Sequence, residues 1–391
     1  MSRVLYACTA VHGHGGIQRF NRNVLLALVD FNVELDILSL NDGAAELKEF
    51  HDTRGIQCYY AGSNKIYWVW WLLRLLLRNK YDTVVCGHVH MAPTVALALI
   101  ISTHGFKGSV LFMHGVEIWG RVKGTRRIAA GRFESACAVS HYTRESFLAQ
   151  VSIFDPRTCL VFPNTLSPNC LYQHVDEHRS YVQDGVLRLL SVTRLAVSER
   201  DKGICDVLRA LGELKGNLKF QYVIIGDGDD RSFLARTARD LGIADRVRFL
   251  GAISDEAMWA AYRRADVFIL PSGKEGMGIV FLEAMYFRLP IIGANEKGAV
   301  DAFVDGKNGF LVPFKGIEAI KACVMRLARS PEMCAAMGGF GRSLVVGDGP
   351  FGRSAFKERI LDVFVGPDHA NESEALGNRR NAPSGDGAQD L

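Results

Sequence analysis

The sequence predicts an α/β protein with two domains, each built on a doubly wound parallel sheet. Its 391 residues, 48% of them apolar and 39 of them glycine, are enough for two ordinary globular domains with many tight turns. Short apolar runs alternate with helical stretches, which is typical of parallel sheets with crossover helices. A polar stretch without periodicity, residues 167–185, separates two such series and is interpreted as an interdomain linker.

The first half begins with a strand, a glycine loop and a helix. Residues 4–10 predict a buried strand, Gly13, Gly15 and Gly16 supply the turn, and residues 18–29 have helical spacing. The loop does not follow G-x-G-x-x-G and lacks a phosphate-binding lysine, so it disfavours a nicotinamide-dependent dehydrogenase. Taken alone, it is equally compatible with a tight turn. Further short strands are predicted at residues 33–40, 81–87, 109–114, 137–140 and 159–162.

Histidines follow two of these strands. Ligands of doubly wound sheets bind at the carboxyl ends of the strands, so residues that end strands are candidates for a site. His114, with Gly115 after it, ends one strand, and Glu117 follows. His88 and His90 end another in an H-x-H spacing. Because no third ligand of similar quality accompanies them, we interpret them as loop histidines and expect no metal.

The segment 66–80, IYWVWWLLRLLLRNK, predicts a helix at a membrane interface. It is too short and too interrupted to span a bilayer, which needs about 20 apolar residues. Four aromatic residues within five positions cannot all face inward on one helix. The expected membrane-facing residues are Trp68, Trp70, Trp71, Arg74 and Arg78. An ordinary core helix packed on the sheet is the alternative.

Charge is distributed unevenly along the chain. The net charge is only +4, so a nucleic-acid partner is not expected. Residues 65–132, however, contain ten lysines and arginines against two acids, which favours an acidic partner surface there. Anionic lipid is the partner we expect, and the basic residues available to it are Arg121, Lys123, Arg126 and Arg127.

Cysteine usage and the N-terminus both favour the cytoplasm. The nine cysteines are scattered and contain no C-x-x-C pair, which is typical of free thiols in a reducing compartment. The first residues enter a strand at once and show no signal-peptide organisation. We therefore expect a cytoplasmic protein, peripheral at the inner face of the cell membrane.

The second half starts a new sheet. Strands are predicted at residues 187–192, 220–225 and 246–251. Arg194 follows the first of them, and Lys202 follows a polar loop. Two cations from one strand–loop–helix corner can clamp a pyrophosphate, since arginine offers a planar fork and lysine a compact charge. By themselves, Arg194 and Lys202 are better interpreted as surface residues.

The stretch 272–290, SGKEGMGIVFLEAMYFRLP, is the one around which the chain is organised. It follows an apolar run, residues 266–270, and places a glycine-rich loop before a helix. A helix start offers free N–H groups to phosphate, and glycines let a ligand approach the backbone. Two carboxylates frame it, Glu275 in the loop and Glu283 on the helix. Carboxylates at this position can accept hydrogen bonds from the hydroxyls of a sugar or a ribose. The alternative is that Glu283 is only a solvated surface charge.

Glu275 and Glu283, with seven residues between them, resemble the E-x7-E signature of retaining glycosyltransferases of family 4, which have the GT-B fold. GGIQR at residues 15–19, His114, and the pair Arg194 and Lys202 resemble other elements of that family in the expected order. The similarity runs from about residue 3 to about residue 365. It implies two Rossmann-like domains that face each other across a cleft, in an enzyme of bacterial cell-surface polysaccharide assembly.

The resemblance also implies roles for residues. Gly15, Gly16 and Arg19 would border the donor's diphosphate, and Arg194, Lys202 and the helix start would neutralise it. Glu275 would hold sugar hydroxyls and Glu283 the ribose, and His114 would lie near the anomeric carbon. His114, Glu275, Arg194 and Lys202 are thus the catalytic candidates. The other donor-binding candidates are Leu250, whose backbone would meet the base, Gly276, Met277, Gly278 and Ile279.

Two departures weaken any choice of donor sugar. Gly298, Ala299, Val300 and Asp301 stand where the family usually has G-G-x-P-E, and Met277 replaces an aromatic residue. The expected domains are residues 1–170, joined by a crossover helix at about 350–365, and residues 186–348. A disordered tail is expected at 366–391, because its composition is polar and of low hydrophobicity.

The expected reaction transfers a hexosyl unit, with retention and without a metal or other cofactor, from a GDP-mannose or UDP-glucose type of donor. The expected acceptor is a lipid-linked saccharide in exopolysaccharide or lipopolysaccharide synthesis. A soluble acceptor, a non-catalytic sugar-nucleotide-binding module and a nucleotide-sugar epimerase remain as alternatives.

Overall fold

Two parallel sheets, one in each half of the chain, form the framework. The computed structural model describes residues 2–364 except residues 14, 32, 52, 54 and 103, and the tail expected at 366–391 lies outside these residues. The first sheet has the order β3-β2-β1-β4-β5-β6-β7 and the second the order β10-β9-β8-β11-β12-β13. The strands are β1 Arg3–Cys8, β2 Glu34–Ser39, β3 Ile56–Tyr60, β4 Thr83–Cys86, β5 Gly108–Met113, β6 Ser135–Ala138, β7 Cys159–Val161, β8 Leu187–Val192, β9 Phe220–Ile225, β10 Val247–Gly251, β11 Val267–Leu270, β12 Ile291–Ala294 and β13 Gly309–Val312.

Helices alternate with the strands along most of the chain. They are α1 Gly16–Asp30, α2 Lys48–His51, α3 Lys65–Arg78, α4 Ala92–Ile101, α5 Val116–Trp119, α6 Gly124–Ala130, α7 His141–Gln150, α8 Pro168–Leu171, α9 Ile204–Leu214, α10 Arg231–Asp240, α11 Asp255–Arg264, α12 Ile279–Tyr286, α13 Ile317–Arg329, α14 Pro331–Val345 and α15 Arg353–Phe364. Side-chain caps fix several starts: Ser140 accepts a hydrogen bond from Thr143 N and Ser254 from Ala257 N.

The first sheet is buried on both faces because successive strand residues point to opposite sides. Leu5 and Ala7 pack in one cluster with α3 and α4, whereas Val4 and Tyr6 pack in another with α1. This arrangement is the predicted doubly wound sheet. Near-continuous apolar strands are its expected sequence pattern.

The last helix joins the first domain. Phe356, Ile360 and Phe364 of α15 lie in the same cluster as Phe20 of α1. The ring centroids of Phe20 and Phe356 are 6.3 Å apart. Residues 187–345 thus carry the second sheet and its helices, while the chain's end returns to the first.

Each sheet reverses its strand order at one place, between β1 and β4 in the first and between β8 and β11 in the second. Crevices for ligands form at such switch points, beyond the carboxyl ends of the strands. The first reversal brings the glycine loop after β1 next to His88 after β4. The second brings Arg194 after β8 next to the loop after β11. Several predicted site residues, among them Gly15, Arg194 and Glu275, therefore follow the strands at the two switch points.

Candidate functional site

The loop between β11 and α12 touches the first domain directly. A β-carbon built on Gly276 would lie 2.2 Å from the carbonyl oxygen of His114, so only glycine allows this approach. Gly278, which precedes α12, has φ of +82°, and a β-carbon there would lie 2.5 Å from the Phe281 ring. The two domains thus meet at the predicted glycine-rich loop.

Lys202 and Glu275 form an ion pair at this loop. Nζ of Lys202 lies 2.7 Å from Oε2 of Glu275, and both side chains are largely buried. Burial by itself lowers the pKa of Lys202, but the charge and hydrogen bond of Glu275 outweigh it, and the pKa is raised. Lys202 therefore stays charged. Gly203 allows the approach: its φ is +78°, and a β-carbon there would lie 2.5 Å from Pro271 O.

Arg194 lies at the same corner but does not touch the 275–283 segment. Its guanidinium pairs with Glu199, and its side chain is 78% exposed. The charges of both residues act on Lys202, the arginine lowering and the glutamate raising its pKa. Arg194 is thus a second cation at this corner. Its only ion-pair partner among the described residues is the loop carboxylate of Glu199.

Glu283 is buried on α12 and is held by two partners. Tyr262 Oη donates a hydrogen bond of 3.0 Å to Glu283 Oε2, and Arg19 of the first domain forms an ion pair with Oε1. Burial raises the pKa of Glu283, although Arg19 opposes the shift. Arg19 was expected to border the diphosphate. It is instead paired with Glu283, the carboxylate that was expected to hold the ribose. Tyr262 was not predicted; its helical spacing with Met258 on α11 was the available signal.

A small cavity of about 150 Å³ lies beside this ion pair, between α1, α11 and the linker. Asn23 and Trp259 are both buried in its wall. Within the described residues, Asn23 Oδ1 and Trp259 Nε1 have no hydrogen-bond partner. Buried polar atoms are normally paired, so these two suit a polar ligand or ordered water.

Hydrogen bonds set the tautomers of two histidines beneath the loop. His114 Nε2 lies 2.8 Å from Gly87 O, which can only accept, so Nε2 carries the hydrogen and Nδ1 the lone pair. His88 Nδ1 accepts from His90 N–H, so Nε2 carries the hydrogen in neutral His88. Burial lowers the pKa of His114 and lowers that of His88 to about 4. Both rings are thus neutral near pH 7.

Of the two loop histidines of the sequence analysis, His88 therefore lies against the candidate site residue His114. The ring centroids of His88 and His114 are 5.8 Å apart, with a stacked geometry. Glu117 supports His114 by accepting a hydrogen bond of 2.5 Å from its backbone N–H. The parallel pairing of β4 with β5 was the signal that could have brought these histidines together.

The remaining predicted donor-binding residues, except Leu250, lie around the same cleft. Gly15 precedes α1 and Gly16 begins it, and a β-carbon on Gly16 would meet nothing within 4 Å. Met277 is buried, and its sulfur accepts a hydrogen bond of 3.2 Å from Asn164 N of the first domain. Ile279 is the buried first residue of α12. Leu250, at the end of β10, is 36% exposed.

Two residues after β12 complete the contact between the domains, and the sequence analysis missed their role. Lys297, with φ of +51°, donates from Nζ to Gly273 O at 2.6 Å. Its ammonium also lies 5.5 Å from the ring centroid of Trp119. Asp301 accepts from the backbone N–H of His141, which begins α7. Asp301 thus places a negative charge at the start of a helix in the other domain, where such a charge is favourable.

The helix predicted at residues 66–80 is present as α3, but one of its expected membrane-facing residues is buried. Trp68 is wrong as a membrane-facing residue: it is 4% exposed and packs with Leu72 and Leu76 in the core, because they share one helix face. Trp70 is 47% exposed and Trp71 is half-buried against Tyr59. Arg74 lies over Trp70, with 5.2 Å between its guanidinium carbon and the ring centroid.

Helix α4 extends the exposed apolar surface of α3. Ser102, just after α4, donates to Leu76 O, so the two helices are adjacent there. We call their outer surface the apolar face; its exposed residues are Ile66, Tyr67, Trp70, Leu77, Leu97, Ile100 and Ile101. No helix among the described residues is long and apolar enough to cross a membrane. In the same part of the chain, no group of three or more His, Cys, Asp or Glu could hold a metal ion.

Comparisons with known proteins agree with this geometry. The family described as Glycosyltransferase Family 4 matches residues 14–168, and the family described as Glycosyl transferases group 1 matches residues 180–344. A GDP-mannose-dependent alpha-(1-6)-phosphatidylinositol monomannoside mannosyltransferase of Mycolicibacterium smegmatis is 31% identical over 292 residues, which are 69% of this chain and 73% of that protein.

Further relatives and solved structures show the same similarity. The lipopolysaccharide core biosynthesis glycosyltransferase LpsE of Rhizobium meliloti is 28% identical over 42% of this chain and 46% of its own. The apo lipopolysaccharide outer core galactosyltransferase WaaB superposes with a TM-score of 0.72 at 20% identity, covering 93% of this chain and 99% of its own. Anabaena HepE in complex with UDP and glucose gives 0.74 at 18% identity, covering 97% and 100%. These two structures share the fold.

Proposed function

The chain belongs to glycosyltransferase family 4, and from this premise we propose that it transfers a hexosyl unit, with retention, from a nucleoside-diphosphate sugar to a lipid-linked saccharide. It is a GT-B glycosyltransferase related to enzymes of lipopolysaccharide and glycolipid synthesis. One observation carries the proposal. The buried Lys202–Glu275 pair lies on a glycine-rich loop that the backbone of His114 meets from the opposite domain.

The first step is binding of the donor. In the proposal, the diphosphate lies between the start of α12 and the cations Lys202 and Arg194. Glu275 then accepts hydrogen bonds from sugar hydroxyls, and Glu283 from the ribose hydroxyls after Arg19 has moved off its carboxylate. The unpaired Asn23 Oδ1 and Trp259 Nε1 supply further polar contacts beside Glu283. Leu250, Gly276, Met277 and Ile279 complete the donor pocket.

Departure of the nucleoside diphosphate is the step for which the site provides charge. Negative charge develops on the leaving phosphate, and two cations with backbone N–H groups stabilise it without a metal. Removing one such group typically costs about 10²–10³ in rate. His114 is neutral, and its Nδ1 lone pair can accept a hydrogen bond from a sugar hydroxyl near the anomeric carbon. The acceptor attacks on the face that the leaving group vacates, so no protein nucleophile takes part.

Matched lysine substitutions test the assignment. Lys274 pairs with Asp201 at 2.7 Å on the same loop, but its side chain is 51% exposed. We expect Lys202→Gln and Glu275→Gln to lower kcat by about 10²–10³ and Lys274→Gln to leave it within about threefold. The measurement is release of UDP or GDP, with and without glycolipid acceptors. Equal losses for both lysines would contradict the assignment.

The same assay separates the alternatives. A binding module would be stabilised by a sugar nucleotide, by about 2.7 kcal/mol at 100 Kd, but would release no nucleoside diphosphate. An epimerase would change the sugar without any acceptor. A thermal-shift panel of UDP-, GDP- and ADP-sugars identifies the base. GDP-mannose is the first donor to try, since the mannosyltransferase relative is described as dependent on it.

Two features support a lipid-linked acceptor and a peripheral place at the inner face of the cell membrane. Arg78 ends α3, and α6, which carries Arg126 and Arg127, contacts α4; basic residues on or beside the two helices of the apolar face suit an interface with anionic lipid. In addition, the name of the mannosyltransferase relative includes phosphatidylinositol monomannoside, which is a lipid-linked saccharide.

Vesicle flotation tests this part of the proposal. We expect Trp70→Ser with Ile100→Ser to weaken binding to phosphatidylglycerol vesicles at least tenfold. Tyr172→Ser with Val304→Ser removes exposed apolar residues outside the apolar face and serves as the control. Undiminished flotation of the first double variant would favour a soluble acceptor.

A further inference from the structure

A large cavity in the second domain is lined by arginines that the proposed reaction does not use. Its volume is about 700 Å³, within the range of small-molecule sites. It lies between the linker, α11 and the outer face of β8, β9 and β10. Five arginines and two aspartates line it, which leaves three positive charges; the arginines are Arg179, Arg188, Arg248, Arg263 and Arg264.

Some of these charges already have a structural role. Arg179 donates to the carbonyl oxygens of Phe287 and Ala265. Asp266 is buried and accepts from the backbone N–H of Arg188 at 2.8 Å. Arg263 lies over the ring of Phe287 and donates to Gln173. These groups hold the linker and α11 on the sheet, and they build the cavity wall.

Arg248 and Arg264 remain uncommitted. Both are exposed, and neither has an ion pair or hydrogen bond within the described part of the chain. Arg248 projects from β10, and Arg264 ends α11 on the opposite side of the cavity. Two free guanidinium groups facing one cavity repel each other unless an anion lies between them. Guanidinium forks bind phosphate and carboxylate in bidentate fashion.

The floor of the cavity is apolar, which narrows the chemistry of the ligand. Leu190, Val223, Leu250 and the alanines of α11 line it. Inorganic phosphate would leave this floor exposed to water. An organic phosphate with an aromatic or aliphatic body would cover the floor and place its phosphate at the arginines.

Helix α11 separates this cavity from the candidate active site. Ala257, Ala260, Ala261 and Arg264 have the spacing of one helix face and line the large cavity. The opposite face carries Asp255, Met258 and Trp259, which line the small cavity beside Glu283. Among the predicted donor-binding residues, Leu250 alone lines the large cavity.

We propose that this cavity is a second ligand site, which binds a phosphate-bearing organic molecule about as large as a nucleotide. The guanidinium groups of Arg248 and Arg264 hold the phosphate, and the apolar strand residues hold the body. Because the linker forms one wall, the ligand bridges the linker and the second sheet.

Titration with trinitrophenyl-ATP tests the proposal, both in the wild type and in Lys202→Gln, which weakens the proposed donor site but leaves the cavity lining unchanged. We expect the full-length protein to bind the probe and Arg248→Glu with Arg264→Glu to bind it at least tenfold more weakly. Arg236→Glu with Arg239→Glu makes the same charge change on exposed α10, away from the cavity, and should bind as the wild type does. Thermal unfolding midpoints check that both double variants are folded.

Three results would overturn the proposal. Absence of probe binding in the wild type, or its loss in Lys202→Gln, would leave no binding outside the donor site. Equal affinity of the cavity variant and the wild type for the probe would show that Arg248 and Arg264 do not bind it. Equal weakening in the α10 control would show that net charge alone attracts the probe.

Discussion

Arg19 of the first domain is ion-paired with Glu283 of the second, although 264 positions separate them in the sequence. The side chains are 19% and 5% exposed, so the pair lies inside the contact between the domains. Asp255, 3.7 Å from Arg19, adds a second carboxylate. The structure thus links the glycine loop after β1 to the second carboxylate of the E-x7-E signature.

Replacing Arg19 tests this link. Arg19→Gln leaves Glu283 buried without its cation, and removing one partner of a buried pair typically costs about 3–5 kcal/mol. We expect that loss of stability in urea unfolding, together with a higher KM for the donor. Arg157→Gln, which breaks an exposed pair with Asp155, should cost less than about 1 kcal/mol.

A double variant separates stability from function. Arg19→Gln with Glu283→Gln removes both charges of the buried Arg19–Glu283 pair, so most of the stability should return. Donor binding should stay weak because the ribose has lost its carboxylate. Full recovery of both properties would show that the pair has no role in binding the donor.

Gly276 allows the two domains to approach each other closely. In Gly276→Ala the new methyl group would lie 2.2 Å from His114 O, and backbone cannot yield as a flexible side chain does. We expect kcat/KM to fall at least tenfold. The melting temperature of the protein should change little. Gly216→Ala, where a β-carbon meets nothing within 4 Å, is the control. Unchanged kinetics in Gly276→Ala would mean that catalysis does not need this contact.

Asp301 connects the second domain to the start of α7. Its carboxylate accepts from His141 N–H, and the helix dipole favours a negative charge at that position. Asp301→Asn keeps the shape of the side chain but removes its charge. We expect the free energy of domain closure to become less favourable by about 0.3–1 kcal/mol. The measured effect should be a two- to fivefold rise in the KM for the donor. High salt should reduce the difference between the two proteins. A difference independent of salt would contradict an electrostatic origin.

His88 makes stability depend on pH. Burial lowers its pKa from 6.5 to about 4, so between these values the unfolded chain binds the proton and the folded protein does not. Stability is therefore retained above about pH 6.5 and lost as the pH falls toward 4. The shift corresponds to roughly 3 kcal/mol, since one pKa unit is about 1.4 kcal/mol.

Urea unfolding at pH 7.5 and pH 4.5 measures this loss. His88→Asn keeps an acceptor for His90 N–H but cannot be protonated, so it should lose less stability between the two pH values. His104→Asn, at an exposed position, should follow the wild type. Parallel losses in wild type and His88→Asn would assign the pH dependence to other groups.

The order of strands and helices could be read from the chain because burial leaves a periodic record in local sequence. Strands β8 and β9 occupy the predicted residues 187–192 and 220–225. The E-x7-E segment, the lysine before Gly203 and the histidine after β5 were selected as candidate site residues because their local sequence is distinctive and resembles that of a known family. These features need no knowledge of which other segment they will meet.

Contacts between distant segments left no such record. The partners of Arg19 and Asp301, and the arrangement of Arg248 and Arg264 around one cavity, depend on how two separately folded sheets are placed against each other. Trp68 shows the same limit within one helix: composition predicted an interfacial segment, but the orientation of α3 on its sheet buried this residue. Periodicity records that a side chain is buried, whereas the three-dimensional arrangement of the chain selects its partners.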